Sequence, residues 1–206
     1  MSSKIVLIDY EDLSKPFDEK MAKLIEQAYG YDGLGLLLVR GIPEFSELRQ
    51  NLLPIGYQFG NLPTEIKNKY EHPQSLYAFG WSHGKEKLEG KPDTAKGSYY
   101  ANPLYNVPLD DQAAIEKHPN LAHPNIWPTD DIPEMEPAFL ALGGKICQGG
   151  SLLTKMCDEY VASKNAQFQP ARLTTILEKS RCPKARLLYY FPHTVDESQP
   201  LESSDQ

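Results

Sequence analysis

The chain has 206 residues, 40% hydrophobic and 24% charged, with 28 acidic side chains against 21 Lys and Arg and a formal net charge of −7. That length fits one domain with a sizeable core. The acidic balance leaves no excess of cations to neutralise phosphates, which excludes nucleic acid as an expected partner. No apolar run approaches the roughly 20 residues of a membrane span. The first residues are too short in apolar content for a signal peptide, so a cytoplasmic protein is the expectation. Cys147, Cys157 and Cys182 are an odd number with no Cys-x-x-Cys pair. Neither a disulfide framework nor a structural zinc site is expected, and the thiols read as small buried hydrophobes.

In chain order, Ile5 to Ile8 predicts a short strand. Phe17, Met21, Leu24, Ile25 and Ala28 recur at helical spacing and stop at Gly30. Leu34 to Pro43 is the most apolar run and predicts a strand buried on both faces. Phe45, Leu48, Leu52, Ile55 and Phe59 mark a second helix, with Pro54 inside it and Gly60 ending it. A short helix with Pro63 at its first position runs to Tyr70. From Glu71 to Pro128 regular patterns fade into an aromatic-rich stretch, which predicts ordered loops with short strands, where substrate contacts concentrate. Asp130 and Asp131 predict the cap of a long helix from Pro133 through Tyr160, with Gly143-Gly144 and Gly149-Gly150 inside it. A helix after Pro170 and a strand from Ala185 to Phe191 follow. Residues 1–192 read as one domain of mixed α and β structure and 193–206 as a disordered tail.

Several of these pieces resemble the isopenicillin N synthase-like family of 2-oxoglutarate- and iron(II)-dependent oxygenases. The resemblance rests on Gly35-Leu-Leu-Leu-Val-Arg-Gly-Ile-Pro43, Leu62-Pro63 with Glu65 and Lys67, Lys96-Gly-Ser-Tyr-Tyr-Ala-Asn-Pro103, Pro124-Asn-Ile-Trp-Pro128 and Arg186-Leu-Leu-Tyr-Tyr-Phe-Pro192, in family order. Arg40 stands where the family has His, and Leu36 and Leu37 replace aromatics. The resemblance implies a helix-rich N-terminal module leading into the first strands of a double-stranded β-helix (jelly roll). It also implies oxidation of a small molecule with iron(II) and 2-oxoglutarate. By the same resemblance Tyr99, Tyr100 and Asn102 are candidate substrate contacts. Tyr189 stands at a co-substrate position, while Phe191 lacks the hydroxyl of the family's final Tyr.

The family's iron ligands, His-x-Asp or Glu and a later His, work because residues i and i+2 share one face of a strand. None of His72, His83, His118, His123 or His193 begins such a motif. All five read as solvated loop residues, and Arg172-Leu-Thr174, in a helix pattern, as surface. No metal or catalytic residue is assigned. The expectation is an oxygenase portion lacking most of its catalytic β-helix, which would not bind iron and 2-oxoglutarate alone. The alternative is a non-catalytic truncated relative, acting if at all as a partner-binding fragment, or an unstable one. In either case the edges of the strands at Leu34 and Ala185 are expected to invite self-association. Phosphate-cradling Gly motifs and Gly-x-Ser-x-Gly are absent. Asp110-Asp111 and Asp130-Asp131 are adjacent in sequence, so neither forms a facing acid/base pair.

Overall fold

The computed structural model describes residues 5–192, and the expected tail, with His193, lies outside them. The chain is mixed α and β, with two hydrophobic clusters joined by one long helix. In the first cluster β1 (Val6–Asp9) pairs in parallel with β2 (Leu37–Arg40), Val6 opposite Leu37 and Asp9 opposite Arg40. Arg40 Nε donates to Asp9 at 2.5 Å and closes the exit of the pair. Helix α1 (Glu19–Tyr29) starts at Asp18, whose carboxylate accepts from the Met21 N–H at 2.7 Å. Its Met21, Ile25 and Ala28 bury against Val6 and Ile8.

The expectation of a strand buried on both faces at Leu34 to Pro43 is corrected. Only four of those residues are strand, and β2 alternates half-buried and exposed positions. Leu37 and Val39 face α1, but Leu36 and Leu38 are exposed, as is Leu7 on β1. A two-stranded sheet has one helix layer to cover it, so period-2 geometry turns every other aliphatic outward.

Helix α2 (Phe45–Gly60) runs through Pro54, and α3 (Thr64–Asn68) follows with Pro63 as its N-cap rather than its first residue. Lys67 of α3 reaches back and donates to the Gly60 carbonyl at 2.7 Å, so a cation satisfies the C-terminal end of α2. A 3-10 turn at Pro73–Ser75 leads to β3 (Gly80–His83). A two-stranded hairpin, β4 (Lys87–Leu88) and β5 (Lys91–Pro92), turns through Glu89 and Gly90, both at positive φ. Then come β6 (Lys96–Ala101) and two short helices, α4 (Gln112–Lys117) and α5 (Pro119–Ala122).

Helix α6 (Met135–Lys164) has 30 residues, about 45 Å at the usual rise. Its N-cap is Glu134, not Asp130 or Asp131. The Asp131 and Ile132 N–H groups are turned back onto the Pro128 carbonyl, and the Asp131 carboxylate accepts from the Tyr70 hydroxyl, so that carboxylate serves a loop instead of a helix end. Phe139 and Leu142 of α6 belong to the second cluster and Met156 to the first. Buried Asp158 accepts from the Leu173 and Thr174 N–H groups at 2.9 and 2.8 Å and from the Thr174 hydroxyl at 2.7 Å. It thereby caps α7 (Arg172–Lys179) from another helix. Burial raises the Asp158 pKa, but those three donors outweigh it and leave it below the ordinary value. Arg172 is exposed, as expected.

Strand β7 (Ala185–Tyr190) pairs antiparallel with β6, which pairs antiparallel with β3, in the order β3-β6-β7. The inner face of this sheet carries Trp81, Tyr99, Ala101 and Leu187 against α2 and the first half of α6. Gly97 is bare because the Trp81 ring fills the space its side chain would take. Gly56 and Gly60 are one helical turn apart on α2. Leu187 and Tyr189, two apart on β7, pack against them.

Candidate functional site

The outer face of the sheet is where polar side chains converge. Period 2 puts Lys96, Ser98 and Tyr100 of β6 beside Arg186 of β7 and Ser82 of β3. Glu86, just before the hairpin, reaches over them. Its Oε1 accepts from the Tyr100 hydroxyl at 2.8 Å and from Arg186 Nη2 at 2.9 Å, and its Oε2 lies 3.4 Å from Lys96 Nζ. Arg186 also donates through Nε and Nη2 to Ser98 Oγ at 2.9 and 2.7 Å. Lys96 pairs with Asp93, which accepts from the Ala95 N–H at 3.1 Å.

Two carboxylates and two cations therefore neutralise one another. The Tyr100 hydrogen bond, with Arg186 and Lys96 behind it, holds the Glu86 pKa below its usual range. Burial, then Glu86, raises that of Tyr100. Such a cluster is a rigid hydrogen-bonded wall and not a source of a free base or nucleophile. An open groove of about 390 Å³ runs along it between Leu76, Tyr77 and Ala78 on one side and Ser82, Glu86 and Tyr100 on the other. A larger concavity of about 570 Å³ beside Gly30 to Gly33 has Glu26 and Asp32 on its lining and no converging cations.

The aromatic run splits across the sheet. Tyr99 is 1% exposed and its hydroxyl donates to the Ile126 carbonyl at 2.6 Å. Asn102 is fully buried and serves as a junction: it accepts from the Leu104 and Tyr105 N–H groups and donates to the Arg181 carbonyl. Of the three, Tyr100 alone reaches the groove. Tyr189 lies on the face turned toward α2, its hydroxyl accepting from Asn61 at 3.1 Å, with Tyr57 and Phe191 edge-on at 5.9 and 5.0 Å.

Sequence reasoning missed Glu86, Lys96, Ser98 and Arg186. Arg186 was legible, because it alternates with Leu187 in a strand. The three cysteines are free and half-buried rather than fully buried, and burial raises the pKa of Cys147 and Cys157.

Among the described residues no three His, Cys, Asp or Glu side chains group to hold a metal ion. His83 Nε2 bonds the Thr94 carbonyl and its ring packs on Phe191 at 4.7 Å, while His118 is exposed. The reading of His72, His83 and His123 as solvated is corrected: all three are half-buried, and the His72 and His123 rings lie 4.0 Å apart at a 38° tilt. The described residues do not fit a two-His-one-carboxylate iron site.

A family model described as non-haem dioxygenase in morphine synthesis N-terminal matches residues 5–130, more than half of the chain. The chain belongs to this non-haem dioxygenase N-terminal family. Two solved structures share the fold of this dioxygenase region. One is a 2OG-Fe(II) oxygenase family protein from Caulobacter crescentus, 16% identical with a TM-score of 0.59, covering 96% of this chain and 60% of that one. The other is a full-length Neurospora crassa protein in complex with alpha-KG, 19% identical with a TM-score of 0.53, covering 90% of this chain and 54% of that one. The chain thus spans little more than half the length of these structures. Comparison with curated proteins finds no match. Among the described residues no helix is long and apolar enough to cross a membrane.

Proposed function

We propose that this chain supplies the N-terminal region and one wall of a 2-oxoglutarate- and iron(II)-dependent oxygenase acting on a small organic molecule. In this reading the iron ligands and the anchor for 2-oxoglutarate come from polypeptide outside residues 5–192. The observation that carries it is the pairing of a family match over residues 5–130 with a donor set that, among the described residues, does not group to hold the metal. Leu188 and Tyr190, on the outer face of the edge strand β7, are exposed, and Leu53 and Ile146 border the same edge. Apolar surface beside an open strand edge suits further strands of a jelly roll, and until they are added it favours self-association.

Tyr100, on the groove, is the substrate contact in this reading, and Tyr99 and Asn102 fix the strand and loop behind it. Tyr189 acts as a strut between β7 and α2, leaving Arg186, Leu188 and Tyr190 on the outer face, of which Arg186 reaches Glu86. Titrating the 206-residue chain with iron(II) and 2-oxoglutarate under nitrogen tests the reading. The expected result is no charge-transfer band and no stoichiometric iron. A band with near-stoichiometric metal that persists in a His193→Ala chain would overturn the claim that the ligands lie elsewhere.

A further inference from the structure

The groove beside Tyr100 is walled on one side by Leu76, Tyr77 and Ala78, and the turn that carries them is fastened by a histidine. His72 is the N-cap of the 3-10 turn, and its Nδ1 accepts from the Ser75 N–H at 3.2 Å. A ring nitrogen that accepts carries no proton, so His72 is neutral with its hydrogen on Nε2. The Ser75 N–H is shared with the His72 carbonyl, also at 3.2 Å; the Ser75 hydroxyl donates to that carbonyl at 2.9 Å and the Tyr77 N–H at 3.1 Å. The turn is held in a costly shape: Leu76 and Tyr77 are consecutive non-glycine residues at φ 56° and 59°.

Against the His72 ring lies His123, just past the end of α5, at 4.0 Å and a 38° tilt. Its Nδ1 is 2.6 Å from the Pro124 carbonyl, which can only accept, so that nitrogen carries the proton. Phe79 packs 5.7 Å from His123, and Lys184 sits 4.0 Å over the Phe79 ring while donating to the Ala78 and Asn120 carbonyls. Glu71 is spent on Lys85 at 3.0 Å, and Lys85 lies over Tyr77. His118, at the far end of α5, is exposed. The junction therefore gathers His72, His123 and the Lys184 ammonium, and its one carboxylate is already paired.

We infer that the stacked His72 and His123 form an acid-sensitive latch on the groove rim. Protonating His72 places a hydrogen on Nδ1 facing the Ser75 N–H, so two donors meet on the ring side and the shared N–H is left with the His72 carbonyl as its one acceptor. It also sets a cation against the His123 ring, beside Lys184. Either effect alone weakens the cap; together they release Leu76 and Tyr77 from their left-handed conformations and move the rim away from Tyr100.

Burial and the neighbouring His123 lower the His72 pKa from its ordinary value of about 6.5. Its neutral-state contribution is therefore intact above about 6.5 and is lost as pH falls from there through the folded value. The latch belongs to the fold itself; only its role in admitting substrate rests on the groove being the site.

The test is an NMR pH titration of the 206-residue chain, following the imidazoles and the Ser75 and Tyr77 amides. His72 is expected to titrate below about 6.5, with both amide signals moving at the same midpoint. His72→Asn keeps an acceptor at the cap without a titratable ring and should abolish the amide response. His123→Phe keeps a ring against His72 but removes the imidazole that helps lower its pKa, and should move the His72 midpoint upward. Amides that stay still while the parent's His72 titrates, or a response retained by the Asn variant, would overturn the latch. No outcome of this titration depends on iron or 2-oxoglutarate.

Discussion

Replacing Gly60 by Ala sets two effects of opposite sign against each other. A Cβ favours the helix by up to about 1 kcal/mol, and by less in a last turn. At Gly60, however, that Cβ would fall inside contact distance of the Tyr189 ring. The ring has little room to retreat, because Tyr57 and Phe191 meet it edge-on and Asn61 bonds its hydroxyl. Overpacking a filled site costs about 1–3 kcal/mol, so the net expectation is destabilisation by about 1–2 kcal/mol. At Gly56 the nearest atoms are the ends of the Leu187 side chain at 3.2–3.3 Å, which can give by a few tenths of an ångström. Gly56→Ala should therefore fall within about 0.5 kcal/mol of the parent, as substitutions without overpacking do. Urea unfolding reads both as shifts in midpoint at constant slope. The decisive step is the cycle with Tyr189→Ala: once the ring is gone, Gly60→Ala should no longer destabilise, which leaves a coupling of about 1–2 kcal/mol between the sites. A Gly60→Ala variant as stable as the parent, or a cycle that is additive, would refute the packing argument.

Two further outcomes follow from buried polar contacts. Asp158→Ala leaves the first-turn N–H groups of α7 without their acceptor, at a cost of about 2 kcal/mol. No residue of α7 is fully buried, so amide exchange should rise across Arg172–Lys179 while the core amides stay protected; uniform loss of protection would contradict a local cap. Burial and then the bond to Asp131 push the Tyr70 pKa up to about 12. A raised pKa means that the protonated phenol stabilises the fold below about pH 10, and this contribution disappears as pH climbs through about 12. Tyr70→Phe should flatten the alkaline fall in stability over that window; an unchanged alkaline profile would show that the Tyr70–Asp131 contact carries none of it.

Helices α1, α2, α6 and α7 were legible because their apolar residues recur at helical spacing, and β7 because Arg186 alternates with Leu187; α4 and α5, too short for a period, lie in the stretch read as loops with short strands. Strand β6 was not, since Lys-Gly-Ser-Tyr-Tyr-Ala has no apolar alternation until Trp81 is seen to fill the inward place above Gly97. The strand at Leu37 was legible as a strand but not in its burial, because an aliphatic pattern cannot say whether a second layer covers it. The Asp158 cap joins residues 15 and 16 apart across a turn, beyond the reach of any local capping signal. At the site, Tyr100 was visible in the aromatic run, whereas Glu86 lies in featureless polar sequence and acquires meaning only when the hairpin folds over the sheet.

Helix α6 is seated in two sockets at once. Its first half completes the cluster behind the sheet and its second half completes the cluster around α1. Neither cluster can melt without baring one end of a helix that the other still grips. Despite their separate sheets, the two halves should therefore unfold in one transition. Cutting the chain in the middle of α6 would yield two incomplete pieces and not two domains.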